Sequence, residues 1–128
     1  MAHFAQLDGQ ANVLNVVVIN NSDIENLPFP QSEPVGIAFC QSVYGAETIW
    51  RQTSYNSNFR RQYAEVGGSY YEPVDVFVSP KPFPSWVLRT SDATWQAPIP
   101  KPVAPNGYIA AWNELYSEWD FVIDLGAI

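Results

Sequence analysis

The chain has 128 residues, of which 47% are hydrophobic and 15% aromatic, enough for one packed domain with at most an extended arm. Its net charge is −7 and it has no basic run, which argues against binding to nucleic acid or to an anionic membrane surface. The longest apolar run, Val16–Ile19, is too short to cross a bilayer. We therefore expect a soluble protein made in the cytoplasm.

The N-terminal segment predicts a β-hairpin. His3–Leu7 and the valine-rich Asn12–Asn20 are its strands, and Asp8-Gly9 favours a two-residue turn because both positions tolerate positive φ. His3 is the only histidine, and no Cys, Asp or Glu stands at ligand spacing from it. We interpret it as a surface or hairpin residue rather than a metal ligand.

One short helix is predicted after Pro30. Ser32 is expected to cap it, Pro34 is tolerated in its first turn, and Gly45 is typical of its end. Its apolar face follows at spacings of three and four residues: Val35, Phe39, Cys40 and Val43. Cys40 is the only cysteine, so no intramolecular disulfide is possible, and its apolar neighbours predict a buried thiol.

Arginine and aromatic residues are interspersed between positions 50 and 63, along a predicted strand Thr48–Tyr55 and a loop at Asn56–Asn58. This composition is typical of a protein–protein hot spot. The candidate interface residues are Trp50, Arg51, Tyr55, Phe59, Arg60, Arg61 and Tyr63. The alternative is a core hairpin whose charged groups reach water past buried stems.

Three further hairpins are predicted from evenly spaced aromatic pairs: Tyr70 with Phe77, Trp86 with Trp95, and Trp112 with Trp119. Their turns would centre on Pro73-Val74, Thr90-Ser91 and Leu115-Tyr116. The proline-rich connectors Pro80–Pro84 and Pro98–Pro105 favour an extended, stiff conformation. The predicted fold is therefore mainly β (α+β), with an antiparallel sheet, β-hairpins and one short helix.

The sequence contains no pattern that points to catalysis. It has no phosphate-binding glycine loop, no nucleophile motif and no paired histidines. The acidic residues Glu114, Glu118, Asp120 and Asp124 are interpreted as a solvated strand edge rather than a glycosidase pair. We expect no enzyme activity, no cofactor and no metal.

The C-terminal segment is unusually apolar for a chain end. Phe121 and Ile123 are predicted on one face of a strand, and the last four residues, ending in Ile128, carry no charge. Either the protein's own sheet or a neighbouring subunit should cover this segment. We favour the second, which makes Ile128 a candidate interface residue and a homo-oligomer an expectation.

Several longer segments of the sequence are distinctive in combination: Met1–Ala5, Gly36–Cys40, Trp50–Asn56, Asn58–Ala64, and Pro80–Trp86 with Trp95–Pro98. Together they resemble a family of small proteins encoded by tailed bacteriophages, particularly phages of cyanobacteria and marine bacteria. The resemblance implies a virion structural role and supplies no catalytic or binding residue.

From this resemblance and the residues together we expect residues 1–79 to form a hairpin, helix and strand domain, and 80–128 to add the proline-spaced aromatic hairpins. The predicted function is a capsid cement or decoration protein in the virion, assembled in the host cytoplasm and contacting the major capsid protein. A tail or tail-fibre accessory protein is the alternative within the virion. A carbohydrate-binding module using exposed tryptophans is the alternative from another class.

Overall fold

The computed structural model describes residues 1–127 and confirms a mainly β fold of antiparallel pairs. The strands are β1 (Ala2–Leu7), β2 (Val13–Ile19), β3 (Ile49–Thr53), β4 (Ser69–Tyr71), β5 (Val76–Val78), β6 (Val87–Arg89), β7 (Thr94–Gln96), β8 (Tyr108–Asn113) and β9 (Glu118–Ile123). Within the described residues the single α-helix is α1 (Ser32–Tyr44), and short 3-10 turns lie at Asn21–Ile24, Glu72–Val74 and Leu125–Ala127.

The chain divides into two compact units. The first contains Met1–Pro80 together with Thr90–Ala93, and the second contains Lys81–Arg89 and the chain from Thr94 onward.

The first unit is built on a three-stranded sheet in the order β2-β1-β3. Alternation along β1 sends Phe4 to one face and Ala5 to the other. On the Phe4 face, Cys40 of α1 and Trp50 of β3 complete a buried apolar cluster. On the Ala5 face, Phe77 and its neighbours from the β4–β5 hairpin form a second cluster. The sheet is thus covered by a helix on one side and by a hairpin on the other.

Helix α1 approaches the sheet closely at Gly36. A Cβ added there would overlap the ring of Phe4, which is fully buried. Gly36 is therefore required by packing rather than by backbone conformation. Cys40 is buried as predicted, whereas Val43 of the predicted apolar face is 58% exposed.

Two local predictions in the first unit are wrong. Ser32 does not cap α1: its buried hydroxyl instead donates to Gln52 Oε1 at 2.6 Å, because it faces the sheet. The first hairpin forms, but its turn is longer than two residues. Asp8 N–H donates to the carbonyl of Asn12, and Ala11 rather than Gly9 takes the left-handed conformation, with φ 66°.

The aromatic hairpins follow the predicted register in two of three cases. Tyr70 pairs with Phe77 and Trp112 pairs with Trp119, as expected. The Trp86–Trp95 pairing is wrong, since Leu88 lies opposite Trp95 and β6 begins only at Val87. The turn there spans Thr90–Ala93 and includes Ala93 at φ 58°, which moves its centre one residue along the chain.

Candidate partner-binding surfaces

Two of the candidate interface residues are structural. Trp50 is 1% exposed, its ring packs 5.3 Å from Tyr44, and its Nε1 donates to Thr48 Oγ1 at 2.8 Å. The guanidinium of Arg60 lies inward in the first unit, where its side chain keeps 8% exposure. Trp50 therefore lies in the core, as the alternative interpretation expected, but the guanidinium of Arg60 does not reach water as that interpretation required.

Arg60 joins three parts of the first unit. It forms a bidentate pair with Glu33 of α1, and its Nε donates to Asp75 Oδ1 at 2.7 Å. Its Nη1 also donates to the carbonyl of Gln52 at 2.9 Å. Burial alone would lower the pKa of Arg60, but the hydrogen bonds and charges of Glu33 and Asp75 raise it above its ordinary value.

Aromatic rings enclose the same guanidinium. Its Cζ lies 5.1 Å from the ring centroid of Phe29 and 5.3 Å from that of Tyr70, within cation–π distance. Tyr70 in turn donates a short hydrogen bond from its hydroxyl to Asp75. Arg51 is half-buried and also lies over the Tyr70 ring, 5.5 Å from its centroid. These arginines therefore stabilise the fold through several partners at once.

The exposed part of the predicted interface is the loop that follows β3. Tyr55 is 69% exposed and Arg61 is exposed, while Phe59 and Tyr63 are half-buried. Tyr55, Tyr63 and His3 form a ring cluster with centroid separations of 5.4 to 5.7 Å. Burial, followed by the charge of the chain's amino terminus, lowers the pKa of His3, so this imidazole is neutral at pH 7.

A cleft of about 430 Å³ opens beside this loop. Tyr55 and Phe59 line it together with Asn21, Asn56 and Asn58, among other residues. Asparagine side chains can both donate and accept hydrogen bonds, so this lining can contact a polar partner. The sequence prediction included the two aromatic residues but missed Asn21, which reaches the cleft from a turn far away in the chain.

The second unit carries a separate aromatic cluster. The ring of Trp86 lies 6.3 Å from Trp112 and 6.1 Å from Trp119, and the latter two rings are 5.4 Å apart. Phe83 packs 5.5 Å from Trp86. All four side chains are only half-buried. The cluster is therefore a surface feature, and the tryptophan spacing in the sequence gave no direct sign that Trp86 would join it from outside a strand.

Glu114 fixes the edge of this cluster. It accepts hydrogen bonds from Ser85 Oγ at 2.6 Å and from Trp112 Nε1 at 2.8 Å. These bonds lower its pKa below the ordinary range. Its oxygens are thus committed to neighbouring groups. Trp119 Nε1 donates to the carbonyl of Ile99 at 2.8 Å, which ties a proline-rich connector to the β8–β9 hairpin.

Beside the cluster lies a smaller pocket of about 200 Å³. Trp86, Trp95 and Trp119 line it together with Gln96 and Lys101. Among the described residues, Trp86 Nε1 is the one buried side-chain donor or acceptor without a hydrogen-bond partner. The pocket thus combines aromatic faces with a few polar groups, an arrangement that can hold a small polar ligand.

The β8–β9 hairpin leaves an apolar stripe exposed beyond the tryptophans. Cross-strand pairing places Tyr108 opposite Ile123 and Ala110 opposite Phe121, on the same face as Trp112 and Trp119. Tyr108, Phe121 and Ile123 are 45%, 46% and 59% exposed. We call these three residues the hairpin stripe. The predicted alternation of Phe121 and Ile123 is confirmed, while Ile128 lies outside the described residues.

No group of three or more His, Cys, Asp or Glu side chains that could hold a metal occurs among residues 1–127. Burial raises the pKa of Cys40 to about 11, so its thiol stays protonated at neutral pH. The described part of the chain also contains no helix long and apolar enough to span a membrane.

Comparison with known proteins adds no relative: no protein family, no curated protein and no solved structure matches this chain.

Proposed function

We propose that this protein is a non-enzymatic structural component of a bacteriophage virion, most concretely a capsid cement or decoration protein that bridges neighbouring major capsid subunits. The proposal begins from the sequence resemblance to small phage proteins. The observation that carries it further is the hairpin stripe. Tyr108, Phe121 and Ile123 form a contiguous apolar surface on a hairpin whose residues all keep some exposure. Contiguous surface of this kind is typical of protein interfaces.

The two faces of the β8–β9 hairpin differ in a way that supports a directional contact. The stripe face carries apolar residues along both strands. The opposite face mixes Ile109 and Val122 with Asn113, Glu118 and Asp120. A protein that lies on a capsid surface must present one face to its partner and leave the other in water. The hairpin has this asymmetry, and the exposed Tyr55 and Arg61 of the first unit offer a separate contact.

The test uses phage particles that lack the protein, to which purified variants are added back. Phe121→Ser with Ile123→Ser should reduce the number of copies bound per particle at least tenfold, because the stripe loses its apolar surface. Ile109→Ser with Val122→Ser is the matched control, since these residues are 47% and 41% exposed on the opposite face of the same hairpin. Its occupancy should stay near that of the unchanged protein.

Copy number per particle separates the alternatives within the virion. Hundreds of copies place the protein on the capsid shell, whereas a handful would favour the tail or tail-fibre accessory role. Absence of the protein from purified particles would reject the virion proposal in both forms.

The pocket beside the tryptophan cluster favours a second candidate, a carbohydrate-binding module. Aromatic faces of Trp86, Trp95 and Trp119 can stack on the apolar face of a sugar ring, and Gln96 offers an amide to its hydroxyls. A pocket of about 200 Å³ would take a single ring rather than a drug-sized ligand. Binding to an immobilised glycan panel that is lost in Trp95→Ala, with the fold retained, would favour this function.

A further inference from the structure

Strand β2 is an edge of the sheet, and its outer side is open over much of its length. The antiparallel pairing determines which backbone groups face outward. On β3, the backbone N–H of Gln52 donates to Glu33 and its backbone carbonyl accepts from Arg60, so both groups point away from β1. Phe4 lies opposite Gln52 on β1, and its backbone N–H and C=O therefore bond to Val17 of β2.

Alternation then turns the N–H and C=O groups of Val16 and Val18 away from β1. The structure agrees with this assignment, because the Val16 N–H donates to the side chain of Asn15 at 2.9 Å instead of to a strand. Among the described residues, no backbone group pairs with the outer side of Val16 or Val18. At the start of β2, by contrast, Val13 is bonded on its outer side to Gly67 and Gly68.

The chemistry of β2 also leaves it open to pairing. Edge strands are usually protected by charged residues, by proline or by a covering segment. Residues 13 to 19 contain no charged residue and no proline. Leu14 is 52% exposed and Val18 is 51% exposed. The opposite edge, at β3, is protected by the carboxylate of Glu33 and the guanidinium of Arg60.

We propose that the occupant of this edge is the β2 strand of a second copy of the chain, paired antiparallel around a two-fold axis at Val17. In this register Val16 of one copy faces Val18 of the other, and the reciprocal pair forms on the far side of the axis. The outward N–H and C=O groups of both residues then bond across the interface, and the local bond to Asn15 is replaced. An uncharged, self-complementary strand suits a two-fold contact of this kind.

The side chains fit the same register. Val16 and Val18 lie on one face of the sheet, so pairing brings four valines of two copies together, and β-branched cross-strand pairs stabilise sheets. The overlap can run from Leu14 towards Asn20 and must stop at Val13, whose outer side Gly67 and Gly68 occupy. The two three-stranded sheets would become one continuous sheet.

The first test measures the mass of the purified protein by sedimentation equilibrium over a wide concentration range. The unchanged protein should dimerise, and Val18→Lys should raise the dimer dissociation constant at least tenfold, because it places an ammonium at the paired edge. Val43→Lys is the control, since Val43 is 58% exposed on α1 and should leave the constant unchanged. Circular dichroism should show that both variants retain the fold.

The second test examines the register. Val17 of each copy would face its own counterpart with a Cα separation of about 4.5 Å, within disulfide reach. Val17→Cys should therefore oxidise to a covalent dimer. Leu14→Cys should not, although it is more exposed, because six residues along the paired strands would separate the two thiols by roughly 20 Å.

A monomer at every concentration would overturn the proposal. So would a dimer that Val18→Lys leaves intact, since another surface would then hold it. If the protein is monomeric but Val18→Lys lowers its occupancy on phage particles, the edge receives a strand of another protein, and self-pairing is rejected.

Discussion

The two compact units of this chain use aromatic side chains in opposite ways. In the first unit, Phe4, Trp50 and Phe77 are at most 1% exposed and hold the sheet to its covering layers. In the second, no described residue is fully buried, and the tryptophans contact one another at the surface. Abundant aromatic residues therefore do not by themselves indicate a core. Where they are half-buried on hairpins, their remaining surface is available to a partner.

Replacing one phenylalanine by alanine in each unit should show this difference in aromatic burial most strongly. Phe4→Ala removes a fully buried ring and should lower the free energy of unfolding of the first unit by roughly 3–5 kcal/mol. Phe121→Ala removes a ring that is 46% exposed and should cost well under half of that. Urea titration followed by far-ultraviolet circular dichroism, which detects α1, measures the first effect.

Tryptophan fluorescence measures the second effect in a Trp50→Phe background, because Trp50 is the only tryptophan of the first unit. Equal losses for Phe4→Ala and Phe121→Ala would contradict the contrast between the units.

Arg60→Ala should have the next largest effect. It leaves Glu33 and Asp75 without their shared partner and should destabilise the first unit by about 2–3 kcal/mol. That is less than the roughly 3–5 kcal/mol for fully buried pairs, because Asp75 keeps 57% exposure. Arg61→Ala is the control and should stay within about 0.5 kcal/mol.

Because Arg60 is paired with two carboxylates, charge reversal at both arginines should destabilise the fold. Arg61→Glu alone is the suitable probe of partner binding. An Arg60→Ala protein as stable as the Arg61→Ala protein would show that the Glu33–Arg60–Asp75 contacts contribute little.

The pH dependence of the unfolding free energy should follow the ionisation of Asp75. Burial acts to raise the pKa of Asp75, but hydrogen bonds from Tyr70 and Arg60 outweigh it and leave the folded-state pKa lowered. The carboxylate therefore stabilises the fold above its unfolded pKa of about 4, and this contribution is lost as the pH falls through the lowered folded value.

Unfolding free energies measured between about pH 5 and 3 should fall less steeply in Asp75→Asn than in the unchanged protein. Parallel curves would mean that other acids, such as Asp8 with its own lowered pKa, determine the acid sensitivity.

The smallest expected changes in stability are those of substitutions at two tryptophans of the second unit, Trp86 and Trp112. Trp86→Phe removes a buried N–H that has no partner, so little stability should be lost. Trp112→Phe breaks the hydrogen bond to Glu114 and should lower the thermal midpoint more. Differential scanning calorimetry can compare the two variants, and the reverse order would indicate that Trp86 Nε1 finds a partner in solution.

Much of the fold could be predicted from local sequence patterns, because those patterns depend on near neighbours. The valine-rich segment and the Asp8-Gly9 turn signal predicted the first hairpin, and symmetrical spacing predicted the pairs Tyr70–Phe77 and Trp112–Trp119. The same rule was wrong for Trp86, because the left-handed Ala93 lengthens the turn and spacing does not reveal this.

The role of Arg60 could not be read from the sequence. Its partners Glu33 and Asp75 lie 27 and 15 residues away along the chain. Arg60 and Arg61 both adopt left-handed backbone conformations, with φ 56° and 67°, yet only Arg60 has a buried side chain. In the candidate cleft, Tyr55 and Phe59 were predictable from composition, whereas Asn21 reaches it only through the tertiary fold.

The Glu33–Arg60 pair has a further consequence for how far the sheet can grow. Fibrous aggregation by strand addition needs two free edges, so that each added chain offers a new one. Here the outer backbone groups of Gln52 on β3 are already bonded to the pair. Any strand that joins this three-stranded sheet must therefore join at β2, and once β2 is paired the sheet has no second open edge. If two copies pair through β2 as proposed, the protected β3 edge would stop this sheet from extending beyond the dimer.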